Sequence, residues 1–125
     1  MRPSHDAKAY NEAFERAPAA IRALLESLDI APALAGMYER HGITERRTAL
    51  SVLVADTLVG IVPLKQFVAR LTQDGELDAG TARALAMDIR REVFAHVAHD
   101  LAPLQTDAEK NVERAQREEG GETGT

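Results

Sequence analysis

Ala49-Leu50-Ser51-Val52-Leu53-Val54-Ala55-Asp56-Thr57-Leu58-Val59 is the stretch on which the fold turns. Placed at about 100° per residue, these side chains leave no broad polar face. Only Ser51, Asp56 and Thr57 interrupt the apolar surface, and they do so on different sides. A helix of that kind belongs in the middle of a bundle. The longer apolar run from Ala49 to Leu64 carries Asp56 and falls short of the roughly 20 residues needed to cross a bilayer. The reading is therefore a buried fourth helix, capped by Thr44, ended by Gly60 and Pro63, and surrounded by the second, third, fifth and sixth helices.

The neighbouring segments supply those partners. Ser4 is placed to cap a first helix from about Asp6 to Arg16, whose Tyr10, Ala13, Phe14 and Ala17 recur at spacings of three and four. Pro18 suits the first turn of a second helix with Ile21, Leu24, Leu25 and Leu28 in one stripe. A third helix, tolerant of Pro32 in its first turn, carries Leu34, Met37 and Tyr38 and stops at Gly42. After Pro63, Leu64, Phe67, Val68 and Leu71 repeat at helical spacing until Asp74-Gly75. Asp78 caps a long sixth helix with Ala82, Leu85, Ala86, Ile89, Val93, Val97 and Leu101 on one side, and Pro103 is expected to stop it. Thr106-Asp107-Ala108-Glu109 has the form of a capping box for a last, polar helix to about Glu119, followed by a disordered Gly120 to Thr125.

Composition agrees with this grammar. Ala, Leu, Arg and Glu dominate, and β-branched and aromatic residues are few. The expected fold is all-α, a single-domain bundle of five to six helices around a central apolar helix, with a polar C-terminal helix or tail. It divides into an amphipathic N-terminal arm (residues 1–17), the bundle (18–104) and a charged helix and tail (105–125). Cysteine is absent, which excludes disulfides and thiolate metal sites and makes a reducing cytoplasm the default expectation. The N-terminus lacks the apolar core of a secretory signal and the apolar run is too short for a bilayer, so the chain is expected to be neither exported nor membrane-spanning. Twenty acidic against fifteen basic residues give a net charge of −5, opposing sequence-independent adhesion to nucleic acid.

Few side-chain patterns point to chemistry. Asp88, Glu92, His96 and His99 lie four, four and three residues apart, one sector of a helix on which metal ligands could converge. His5 and His41 offer no convergent further ligand, so the expectation is a solvated Glu92/His96 pair and no metal. The Gly60 to Pro63 turn between two helices admits a helix-turn-helix reading, with Lys65, Gln66, Arg70 and Gln73 facing a major groove and Arg40, His41, Arg46 and Arg47 adding phosphate contacts. The helix that ends at Gly60 is too long and too uniformly apolar for that motif, and the acidic balance also opposes it. No nucleophile elbow or phosphate-cradling glycine loop occurs, so no catalytic residue or cofactor is expected. Asp56, on a buried helix, is expected to accept hydrogen bonds from an arginine or a helix N-terminus.

The residues Leu58-Val59-Gly60-Ile61-Val62-Pro63, Phe67, Leu71, Ala82, Leu85-Ala86, Asp88-Ile89 and Val93-Phe94 resemble a pattern in uncharacterised bacterial helical proteins. Those proteins carry a Gly-Ile-x-Pro turn and an Ala-rich helix ending in Phe. The resemblance spans about Pro18 to Leu104 and implies a helical bundle in a bacterial cytoplasm, with no activity to carry over. It departs at His96, where those proteins tend to have proline.

What remains is an excess of apolar surface on the sixth helix, where Phe94, Ala98 and Leu101 widen the apolar arc beyond one packing partner. Enclosure between two neighbouring helices is one explanation. The other is an interface formed by Arg90, Arg91, Phe94, Ala98 and Leu101. The functional expectation is thus a noncatalytic helical interaction module for a protein partner or a second copy. Nucleic-acid binding through Arg46, Arg47, Lys65 and Arg70 is the rival reading.

Overall fold

A computed structural model describes the backbone of residues 7–123 and the side chains of residues 7–110. Its described residues form helices and turns only: α1 (Ala7–Arg16), α2 (Ala19–Glu26), α3 (Ile30–Arg40), α4 (Arg47–Leu58), α5 (Phe67–Asp74), α6 (Ala79–Glu92) and α7 (Ala98–Thr123). Short 3₁₀ turns at Thr44–Arg46, Leu64–Gln66 and Phe94–Val97 lead into α4, α5 and α7. The all-α, single-domain bundle expected from the pattern is what the chain forms. The Ser4 cap lies outside the described residues. So do the side chains after Lys110, and α7 continues through Gly120 to Thr123 where a disordered tail is expected.

One core joins all the helices after α1. Ile21, Leu34, Met37, Tyr38, Leu50, Leu53, Val54, Leu58, Phe67, Leu71, Leu85, Ile89, Phe94 and Leu101 belong to a single buried cluster. α4 gives it Leu50, Leu53, Val54 and Leu58, and buries Asp56 and Thr57 as well. The opposite edge of α4 is less enclosed than the pattern implied: Ala49 is exposed, and Ser51, Val52 and Ala55 are half-buried. Leu28, expected in the α2 stripe, lies beyond the end of that helix and is 91% exposed.

Two glycines end helices in the same way. At Gly42 (φ +68°) and Gly60 (φ +88°) the chain takes the left-handed conformation that glycine adopts without steric cost. The Gly42 N–H donates to the Glu39 carbonyl and the Ile43 N–H to that of Tyr38. The Gly60 N–H likewise donates to Thr57, and the Ile61 N–H to Asp56. Both are Schellman closures, which satisfy carbonyls that a helix end leaves open. At α5 the expected Asp74-Gly75 stop works differently. Gly75 has an ordinary φ of −85°, and the left-handed residue is Glu76. A Cβ on Gly75 would lie 2.7 Å from both Leu50 Cδ2 and the Leu71 carbonyl oxygen, so this glycine is required by space.

Helix starts diverge from the sequence reading in three places. Asp78 does cap α6, its carboxylate accepting from the Thr81 N–H at 3.0 Å and the Thr81 hydroxyl at 2.7 Å. Thr44 caps nothing with its side chain; it opens the 3₁₀ turn that leads into α4. The long sixth helix is in fact two, because the chain breaks at Val93 (φ −118°, ψ −62°) and passes through the Phe94–Val97 turn. Restarting at Ala98 places Pro103 early in α7, where its ring removes one backbone bond without ending the helix. Thr106 to Glu109 therefore lie inside α7, and Thr106 donates to the Ala102 carbonyl instead of capping.

The polar segment after Pro103 also does more packing than its composition suggests. Ala108 is buried, and Gln105 is 8% exposed. The Gln105 amide nitrogen donates to the Thr57 carbonyl at 3.0 Å and the Val62 carbonyl at 3.2 Å, while its oxygen accepts from the Leu64 N–H. One side chain thus satisfies the corner between α4 and α5 and seats α7 on it. Gln105→Glu keeps the acceptor for Leu64 but loses both donors, and is expected to cost about 2 kcal/mol of folding stability, read as a lower midpoint in urea unfolding.

Candidate functional site

Four of the five residues of the expected interface meet in one groove. Arg90 on α6, Phe94 in the 3₁₀ turn, and Ala98 and Leu101 on α7 line it, together with Leu64, Ala95, Ala102 and Gln105, around a volume of about 310 Å³. The break at Val93 lets the α6 and α7 segments flank a common hollow. Phe94 is 3% exposed and Leu101 is 4% exposed, so both are enclosed core residues that form the groove's floor. Phe94 stacks at a tilt on Phe67, with ring centroids 5.3 Å apart. Arg90, Ala95, Ala98 and Ala102 are exposed on the walls and rim. Arg91 is exposed but held away from the groove by Asp88, to which it donates at 2.6 Å.

The exposed face of α6 continues this surface. Met87 is 65% exposed, and Arg83, Met87 and Arg90 follow one another at spacings of four and three, hence on one side of the helix. Arg83 and Met87 fall outside the interface expected from the sequence. Their spacing to Arg90 is the signal that finds them.

The Asp88, Glu92, His96 and His99 sector has a different role from either expectation. Asp88 accepts from His41 Nε2 at 2.7 Å, from Arg91 at 2.6 Å, and lies 3.6 Å from Arg40. Glu92 pairs with Arg40 at 2.9 Å, not with His96. His41, which the sequence left without an acidic partner, has one 47 residues away. These pairs lock the C-terminal end of α3, where cations complement the helix dipole, onto the C-terminal part of α6. His96 and His99 are exposed, and no group of three or more His, Asp or Glu is placed to hold a metal among the described residues.

The nucleic-acid candidates do not form one basic surface. Arg46 pairs with Glu76 and Arg70 with Asp74, each at 2.8 Å. Both line a cleft of about 510 Å³ that also carries Glu45, Asp56, Asp74 and Glu76, so its carboxylates outnumber its cations. Asp56 is 4% exposed in that cleft, and its charge adds to burial in raising the Tyr10 phenol above its ordinary value. Arg47 donates to the Thr44 carbonyl and lines a separate groove between α3 and α4, and Lys65 is exposed on the turn before α5.

The hydrogen bond from His41, together with the charges of His41, Arg40 and Arg91, holds the Asp88 carboxyl below the usual carboxylate range. A depressed folded-state value contributes stability above the unfolded value of about 4 and loses it as pH falls through the lower folded value. Asp88→Asn is therefore expected to lower the thermal midpoint at neutral pH. Its deficit against the unmodified chain should shrink as pH falls below about 4, checked by calorimetry across that range. No helix among the described residues is long and apolar enough to cross a membrane. No protein-family model, curated protein or solved structure matches the chain.

Proposed function

We propose that the chain is a noncatalytic helical module that binds a protein partner through the groove between α6 and α7. The observation that carries this reading is the convergence of an apolar floor, small exposed walls and an exposed methionine beside an arginine. Methionine, arginine and aromatic residues are enriched where protein surfaces meet, and a contiguous apolar hollow rimmed by charge is the usual form of such a surface. The groove offers little for small-molecule chemistry. Gln105, the one uncharged polar side chain on its lining, spends both ends of its amide on the chain's own backbone.

A noncatalytic role is consistent with the way the titratable residues are used. Asp88, Glu92, His41 and Arg40 are joined to one another in tying α3 to α6, and Arg70 and Asp74 are paired within α5. The cysteine-free composition and the resemblance to bacterial helical proteins support a reducing bacterial cytoplasm as the setting.

Affinity capture followed by mass spectrometry, with the native chain and Ala98→Arg compared side by side, tests the reading. Ala98 is exposed and its replacement places a long cation across the groove. The expected result is a partner captured by the native chain and lost with Ala98→Arg. Equal capture by both places the contact elsewhere. Light scattering over a range of concentrations completes the test: a constant monomer mass is expected, and a mass that rises in the native chain but not in Ala98→Arg makes the occupant a second copy.

A further inference from the structure

We infer that the occupant of the α6–α7 groove is an acidic amphipathic helix of a protein partner, seating apolar side chains among the exposed Ala95, Ala98 and Ala102 above the Phe94 and Leu101 floor, and carboxylates on Arg83 and Arg90. This rests on the interaction reading above and adds the chemistry of the partner. The charge of the face carries it. α6 holds carboxylates at Asp88 and Glu92, and both are drawn toward the end of α3, by His41 and Arg40. Arg91 is engaged by Asp88. Arg83 and Arg90 have no carboxylate partner among the described residues, although the chain as a whole has a net charge of −5. The face thus offers two cations uncompensated among the described residues, next to an apolar hollow on an otherwise acidic protein.

The spacing selects the shape of the partner. Arg83 and Arg90 are seven residues apart, which on a helix is about 10.5 Å along the axis, with Met87 between them. Two carboxylates one heptad apart on a partner helix span the same distance, the apolar residue between them facing Met87 and those past the Arg90 end facing the groove. Exposed Ala95, Ala98 and Ala102 leave room for a helix backbone to come close. A volume of about 310 Å³ is at the lower end of those that small-molecule sites occupy and suits inserted side chains. Helix-in-groove recognition of this kind takes affinity from the apolar anchors and partner choice from the flanking charges.

Fluorescence anisotropy with the full chain and three labelled probes tests the inference. The first probe is a helical peptide of about two turns beyond a heptad with leucines on one face and glutamates flanking them; the second replaces each glutamate by lysine; the third is a short DNA duplex. The glutamate probe is expected to bind at least about tenfold more tightly than the lysine probe at low salt, with the gap narrowing near 0.3 M salt. The double variant Arg83→Glu, Arg90→Glu, on two exposed positions, should invert the preference. Ala98→Trp should weaken both peptides by filling the groove, and Ala98→Gln by placing a polar group on its wall.

The outcomes separate the two readings. Equal binding of both peptides, abolished by the Ala98 variants, overturns the acidic partner while leaving the groove as a docking face. Absence of binding by either peptide, or binding unaffected at Ala98, overturns both. Preferential retention of the duplex, lost in the double arginine variant, overturns the helix assignment in favour of nucleic acid.

Discussion

The amide of Gln105 holds the corner on which the arrangement of the second half depends. Between Thr57 and Leu64 the chain reverses through a left-handed glycine and a proline, and such a reversal leaves backbone groups turned inward. Buried backbone polar groups must find partners, and here two carbonyls and one N–H find them in a single side chain. Apolar contact alone is tolerant of sliding and rotation. Three directed bonds are not, so they set both the depth and the rotation of α7. The position of Leu101 against the core, and of Leu64 opposite Ala98 and Ala102, follows from that constraint. Gly60 tightens it further, since a Cβ there would lie 3.3 Å from Leu104 Cβ and from the Leu104 carbonyl oxygen.

Much of the fold was legible because it depends on local periodicity. Ala82, Leu85, Ala86, Ile89, Val93, Val97 and Leu101 are all buried, as their spacing required, even though the chain changes from α to 3₁₀ and back along the way. A 3₁₀ turn advances side chains by about 120° in place of 100°, so a short one displaces a stripe without breaking it. That same tolerance hid the break at Val93, and with the break hidden Pro103 looked like a stop. Gly42, Gly60 and Asp78 were readable because their roles are fixed by conformation or by a bond three residues away.

Contacts that join distant parts of the chain had no such signature. His41 and Asp88 are 47 residues apart, and Gln105 and Thr57 are 48 apart. Nothing in the spacing of a polar residue announces a partner at that distance. The candidate surface shows both cases. Arg90, Phe94, Ala98 and Leu101 were visible as an apolar excess with a charged neighbour, but whether Phe94 and Leu101 formed floor or rim depended on the bend between α6 and α7. Arg83 and Met87 were overlooked because a charged or flexible side chain on a helix exterior is ordinary until its neighbours are known to be occupied elsewhere.

The hydrogen bond between Tyr38 and Ser51, 3.0 Å long and set between α3 and α4, has an optical consequence. The chain has no tryptophan and only two tyrosines, Tyr10 and Tyr38. Burial raises the Tyr38 phenol above its ordinary value, the bond to Ser51 opposing that rise, while Tyr10 lies half-buried on α1. Near-ultraviolet signals above the phenylalanine bands therefore come from the first half of the molecule alone. The half that carries the groove, with Phe67 and Phe94 as its aromatic residues, is dark at those wavelengths, and events there become visible only through an introduced chromophore or a labelled ligand.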